Sequence, residues 1–175
     1  MSRSLNAAPL PTRDFRAVYL PPHTRLSTAM KRVSVRQSPI HGKGVFALRA
    51  LDAGERIFEY KGLVTTWREA TRHCARREHE GHTFLFGLSD GRVIDGARGG
   101  NSARWLNHAC AANCEAIEAS GRVFIQARRS IKAGEELFID YALEVPPGMS
   151  AKSLREYLCR CGARRCRGTM LNPHI

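Results

Sequence analysis

The 175-residue sequence predicts a mainly β domain with short helices. Three observations predict it. From Lys31 onward, short runs of β-type residues alternate with turn signals. Only one long stretch carries apolar residues at helical spacing. The apolar content of 43% is ordinary for a soluble globular chain and allows one domain with short appendages.

Taken in order, residues 1–30 lack apolar periodicity and are punctuated by Pro9, Pro11, Pro21 and Pro22. They read as a flexible basic tail with one extended segment, Phe15–Leu20. Strands are expected at Arg32–Arg36, Val45–Leu48, Arg56–Tyr60, Phe84–Leu88, Arg92–Asp95, Arg122–Ala127 and Glu136–Asp140. A helix is expected from Thr66 to His79, where Trp67, Ala70, Cys74 and Ala75 recur near helical spacing. Two stretches resemble each other, Leu51-Asp-Ala-Gly-Glu-Arg-Ile-Phe and Ile131-Lys-Ala-Gly-Glu-Glu-Leu-Phe. In each, an Ala-Gly turn launches a strand. Pro146-Pro147-Gly148 reads as a linker, and a short helix from Ser150 to Tyr157 leads into a cysteine cluster. The expected organisation is a tail (1–30), a main domain (31–145), and a linker with a C-terminal cysteine segment (146–175).

The net charge of +12 is unevenly placed. Residues 1–36 carry seven Lys/Arg against Asp14 alone, and residues 150–175 carry six against Glu156 alone. Between 115 and 144 acids outnumber bases. The basic ends suit phosphate-rich partners, so proximity to nucleic acid is one expectation, a solvated Arg-rich surface the other. No apolar run approaches the roughly 18 residues of a membrane helix, and the N-terminus has no apolar signal core. The sequence reads as intracellular, cytoplasmic or nuclear, with no membrane partner.

Four constellations could carry chemistry. Cys159-x-Cys161-x4-Cys166 places three thiols close enough to wrap one Zn²⁺, which takes four tetrahedral ligands in a structural site. The fourth ligand must come from Cys74, Cys110 or Cys114. The arginines at 160, 164, 165 and 167 favour thiolate over thiol. A second constellation, Asn101 to Cys114, packs Asn, His and Cys into a segment without helix or strand period. It reads as a ligand loop or as a polar knot of backbone. A third, Ile40-His41-Gly42-Lys43-Gly44-Val45-Phe46, is a glycine turn running into a strand. Its glycines permit close backbone approach. The fourth is Asp140-Tyr141, at the end of an apolar strand.

Together, and in this order, these motifs resemble the SET domain. The resemblance runs through Ile40-His41-Gly42-Lys43-Gly44-Val45-Phe46-Ala47, Glu59-Tyr60-x-Gly62, Ile94-Asp95, Gly100-Asn101-x-x-Arg104-Trp105-x-Asn107-His108-x-Cys110-x-x-Asn113-Cys114, Ala133-Gly134-Glu135-Glu136-Leu137 and Asp140-Tyr141. The cysteine cluster resembles the family's post-SET zinc motif. About residues 31–170 are covered.

The resemblance implies small β-sheets around a knot-like crossing, where the Asn107-His108 segment threads beside the strand ending at Tyr141. It implies a protein-lysine methyltransferase with S-adenosylmethionine as donor, acting on a basic protein, histone-like or ribosomal. His41, Gly42, Lys43 and Gly44 would contact the donor, with Phe84 nearby. Asn107 and His108 would hold its amino-acid and adenine parts, and Arg160 would lie over the adenine. Tyr141 would be the catalytic tyrosine of a lysine channel shared with Phe84 and Ile139. Cys110 would complete the zinc site with Cys159, Cys161 and Cys166. Cys114 would not be a ligand, and Cys74 would be core. Phe84 stands where relatives often carry tyrosine, Ala109 where they carry serine, and Ile139 where they carry Phe or Tyr. With two hydroxyls missing, the channel is expected to admit di- or trimethyllysine. The alternatives are a SET-like protein that binds with little catalysis and a basic, zinc-stapled nucleic-acid-binding module.

Overall fold

The structure, a computed structural model, describes residues 31–76, 84–145 and 148–172. The expected tail, its segment Phe15–Leu20, Thr83 and the Pro146-Pro147 pair lie outside the described residues. Among the described residues, ten short strands and two short helices follow one another as β1 (Val33–Gln37), β2 (Lys43–Ala47), β3 (Arg56–Tyr60), β4 (Leu63–Thr65), α1 (Trp67–Ala75), β5 (Leu85–Gly87), β6 (Val93–Asp95), β7 (Asn107–His108), β8 (Cys114–Ala119), β9 (Arg122–Ala127), β10 (Glu136–Ile139) and α2 (Ala151–Leu154). Single 3₁₀ turns occupy Ser102–Trp105 and Arg155–Tyr157.

The strands form three small sheets in the orders β1-β2-β10-β7, β3-β9-β8 and β4-β6-β5. β10 lies antiparallel to β2 and parallel to β7, pairing Phe138 with Asn107 and Ile139 with His108. So the Asn-His segment threads beside the strand that leads to Tyr141. Inward-facing Val45, Leu51, Val123, Ile125, Ile131 and Leu137 are fully buried and, with Ile94 of β6, join the sheets in one core. Alternation along β9, with Val123, Ile125 and Ala127 inward, makes that strand readable from sequence.

The second sheet closes through a tight hairpin at Ser120-Gly121, both with positive φ, the geometry of a two-residue hairpin turn. α1 begins at Thr66, whose side chain accepts the Glu69 N–H, and carries Arg72 and His73 in its last turn. It ends at Ala75 with Arg76 as cap, so the helix stops short of the expected His79, and residues 77–79 lie outside the described residues. Cys74 is half-buried on this helix rather than in the core.

Three strands were not expected. β4 and β7 are too short to show a period. β8 reads Cys-Glu-Ala-Ile-Glu-Ala, whose Ala and Glu carry little β signal.

Candidate functional site

The site begins with the turn between β1 and β2. The Ser38 N–H donates to the Gly42 carbonyl at 2.8 Å, and the Ser38 hydroxyl accepts the Ile40 N–H at 3.0 Å. The same hydroxyl donates to a carboxylate oxygen of Glu136, at 3.0 Å. Glu136 is buried on β10, and its other oxygen accepts from the Asn107 side-chain amide at 2.9 Å. That amide nitrogen also faces the carbonyls of His41 (3.2 Å) and Lys43 (3.0 Å). One buried carboxylate and one buried amide thus fasten the His41–Gly44 turn to β10 and β7. Any Cβ at Gly44 would collide with the Glu136 carboxylate, so this close approach requires glycine.

Beside this turn lies an aromatic and cationic layer. The Lys43 ammonium stands 4.7 Å from the Trp105 ring centre, and the Arg104 guanidinium lies 5.0 Å from Trp105 and 5.5 Å from Phe84. Phe84 meets Trp105 edge-on at 4.9 Å. The structure therefore brings His41, Gly42, Lys43, Gly44 and Asn107 together. Phe84 joins them through Trp105.

Tyr141 follows β10, and its ring packs against the core. Its hydroxyl donates to the Leu106 carbonyl at 2.7 Å. Burial, reinforced by the Glu136 carboxylate, pushes its pKa up to about 12. The phenol is therefore neutral at physiological pH. With its proton committed to Leu106, its oxygen can act toward a neighbour as an acceptor. The Tyr141 backbone N–H donates to His108 Nδ1 at 3.1 Å, while Nε2 of the same ring lies 3.4 Å from Cys110 Sγ. Burial holds that imidazole below its usual pKa. A neutral ring accepting at Nδ1 carries its proton on Nε2 and donates it to the sulfur. Both nitrogens of His108 are thus engaged, leaving its backbone and ring face for any ligand. Ile139 is buried in the core directly before the Asp140-Tyr141 pair.

Tyr60, at the end of β3, was not nominated as a site residue. It is buried, and its hydroxyl donates to the Phe84 carbonyl at 3.2 Å. Burial first, and then the neighbouring Tyr141, hold its pKa well above the usual phenol value. Its place in Glu59-Tyr60-x-Gly62 was the available signal.

The cysteines converge. Of the three candidates for a fourth ligand, Cys110 is the one whose sulfur joins Cys159, Cys161 and Cys166, all four Sγ atoms lying within 4.8 Å of one another. Cys110 Sγ is 3.6 Å from that of Cys159 and 3.8 Å from that of Cys166. A tetrahedron of thiolates about 2.3 Å from a central ion has edges of about 3.8 Å, so the cluster can hold a metal ion. Backbone N–H groups of Cys161, Arg167 and Gly168 point at the Cys159, Cys110 and Cys166 sulfurs, each at 3.4 Å, which suits thiolates. Cys114 is buried away from this cluster, its thiol pushed up to about 12 by burial. Arg160 is exposed. Arg167, read from sequence only as one of four arginines near thiols, forms a bidentate pair with Asp140 at 2.6 and 2.8 Å.

No helix among the described residues is long and apolar enough to cross a membrane. Comparison with known proteins finds the SET domain over residues 42–142. Histone-lysine N-methyltransferase 2B of Homo sapiens is 35% identical over 80% of this chain, which spans 5% of that protein. The H3 lysine-4 specific histone-lysine N-methyltransferase of Mycosarcoma maydis is 34% identical over 82% of the chain and 10% of its own length. Histone-lysine N-methyltransferase ATXR7 of Arabidopsis thaliana is 32% identical over 80% of the chain and 10% of its own length. The chain therefore spans a tenth or less of these curated relatives. The matched segment contains the glycine turn, the threaded Asn107-His108 strand and Tyr141, and on that ground the chain belongs to the SET domain family.

Proposed function

We propose that this chain transfers methyl groups from S-adenosylmethionine to lysine side chains of a basic protein, histone tails before ribosomal proteins. Residues 31–145 form the catalytic domain, and 146–175 a linker and a segment closed by one zinc. The observation that carries the reading is Tyr141. Its half-buried, neutral hydroxyl sits where the Asn107-His108 strand crosses beside β10, the strand bonded to the glycine turn. The names of the relatives support histones as the substrate class. The reaction takes place inside the cell, on chromatin or in the cytoplasm.

The residues fit the donor. Lys43 offers a cation for a carboxylate, the His41–Gly44 backbone comes close without side-chain bulk at 42 and 44, and Asn107 fixes that backbone. The backbone of His108 and the exposed Arg160 are the remaining contacts in this reading. When bound, S-adenosylmethionine supplies a methyl group on a sulfonium leaving group. The chain's own part is placement. Holding an amine in line with such a methyl is worth roughly 7–11 kcal/mol. Free lysine has a pKa near 10.4, and a desolvated channel lined by Phe84, Ile139 and Tyr141 favours the neutral amine. Tyr141 cannot serve as a phenolate base, because its pKa lies near 12. Its oxygen instead accepts from the lysine N–H, which aims the nitrogen lone pair. β5 lies at the edge of its sheet, and such an edge can bind an extended peptide by strand addition.

The test is incubation of purified protein with isotope-labelled donor and a panel of histone and ribosomal proteins, then mapping of labelled lysines. Label on lysine supports the reading. Donor binding without transfer to any protein would make the chain a SET-like binder. Zinc is tested separately. Metal analysis should give one zinc per chain, and Cys110→Ser should lose most of it. Full zinc content in that variant would overturn the ligand set Cys110, Cys159, Cys161 and Cys166.

A further inference from the structure

The segment after β10 and the cysteine segment meet in a closed ring of contacts. Arg167 donates from both guanidinium ends to Asp140, at 2.6 and 2.8 Å. Asp140 precedes Tyr141 and also accepts the Ala142 N–H at 3.2 Å. Ala142 has a φ of +43°, so the backbone just past Tyr141 is held in a conformation that a side chain disfavours. The Tyr141 N–H rests on His108 Nδ1, His108 Nε2 rests on Cys110 Sγ, and the Arg167 N–H returns to the same sulfur at 3.4 Å. Tyr141 is thus fixed by its neighbour on one side and its own amide on the other, and both lines end on Cys110.

A partly exposed ion pair adds little stability by itself. This one is also imperfectly satisfied, since Arg167 Nε is buried without a hydrogen-bond partner. Docking of the segment does not need it. Leu143 and Leu171 form a parallel bridge, with the Leu143 N–H donating to Met170 at 3.0 Å and the Asn172 N–H to Leu143 at 2.9 Å. An arginine that is not needed for docking, accepts an unsatisfied nitrogen and grips the residue before Tyr141 in two places has a positional task.

We propose that Arg167 and Asp140 are positioning residues, a latch through which the closed cysteine segment sets the place of Tyr141. The effect on turnover rests on the methyl-transfer reading. The mechanical coupling does not.

The experiment compares zinc-loaded wild type with Arg167→Ala, Asp140→Asn, the double variant and the reversed pair Asp140→Arg/Arg167→Asp. Two readouts need no activity: hydrogen exchange at the Tyr141 amide, and the rate of zinc transfer to a chelator. Each single variant should keep one zinc per chain and speed both readouts by about tenfold. The double variant should go no further than either single one, because partners in one interaction are not additive. The reversed pair should recover part of the loss. On a methylated peptide, Arg167→Ala should lower kcat about tenfold and leave KM within about threefold, the signature of a lost transition-state interaction. Additive effects in the double variant, or wild-type exchange at Tyr141 in Arg167→Ala, would overturn the latch. A wild type that methylates nothing but shows the coupled exchange would overturn the methyl-transfer reading and leave the latch standing.

Discussion

The two Ala-Gly turns are the same device used twice. At the first, Arg49 grips the Glu55 carboxylate and the Ala50 carbonyl, and Glu55 accepts the Asp52 N–H. At the second, Arg129 grips Glu135 and the Ser130 carbonyl, and Glu135 accepts the Lys132 N–H. Gly54 and Gly134 sit at φ of +80° and +86°, and Leu51 pairs with Ile131 through reciprocal 2.9 Å bonds. Each turn launches a strand that delivers a tyrosine, the buried Tyr60 at the end of β3 and the half-buried Tyr141 just after β10. The surroundings differ. Among the described strands β3 pairs with β9 alone, with a register shift between Arg56 and Phe58. β10 lies between the strand of the glycine turn and the threaded Asn107-His108 strand. Equal local chemistry gives equal turns, and the neighbours met on leaving the turn decide which tyrosine lies beside the strand of the glycine turn and the threaded Asn107-His108 strand.

The largest test of that contrast is removal of each hydroxyl. Tyr141→Phe should lose about 10²-fold or more in kcat while binding the donor normally by calorimetry. Tyr60→Phe, whose hydroxyl is held by the Phe84 carbonyl, should lose about tenfold under the same analysis. Equal losses would erase the distinction between the two strands. Next comes product choice. An ordered water needs about two to four polar partners, and neither Ile139 nor Phe84 can supply a hydroxyl. The wild type should therefore pass monomethyllysine, and Ile139→Tyr should shift products toward it with little change in the first transfer. Mass spectra that stop at monomethyllysine in excess donor would show Ile139 narrowing the channel instead.

The turns themselves should respond alike. Gly54→Ala and Gly134→Ala each put a side chain at positive φ, and each should cost about 1–2 kcal/mol in denaturant unfolding. A much larger cost at Gly134 would mean that the second turn carries stored strain. Smallest is the acid response. Arg49 holds Glu55 below its usual pKa, and the Lys132 N–H does the same for Glu135. A carboxylate depressed in the folded state adds stability that is present above its unfolded pKa and lost as pH falls through the folded value. Glu55→Gln and Glu135→Gln should each flatten the stability curve below about pH 4.5, by under about 1 kcal/mol. Different slopes for the two would break the equivalence.

Much of this was legible in the sequence, for physical reasons. β9 showed its alternation, Thr66 announced the helix start, and the paired turns were visible as repeated residues. Cys110 could not be singled out by spacing, since its sulfur meets the other three only through the fold. Arg167 was hidden among four arginines, and only the Asp140 pair distinguishes it. β7 carries a central pairing on two residues, too few for any pattern. The conformation within the Asn101–Cys114 segment was hidden for another reason: side-chain bonds to distant backbone, such as Asn113 to Glu136, shape it more than local preference does.

The bond from Ser38 to Glu136 spans 98 residues of sequence. During synthesis, β1 and β2 can pair as soon as they emerge, but the glycine turn has no floor until β10 leaves the ribosome. β3 to β9 all precede β10 in the chain, so the two sheets they build can pair before it arrives. Long-range pairings of this kind close late because the intervening chain must be ordered first. A nascent chain halted before residue 136 could therefore pair β3-β9-β8 and β4-β6-β5 but would lack the carboxylate that anchors the glycine turn.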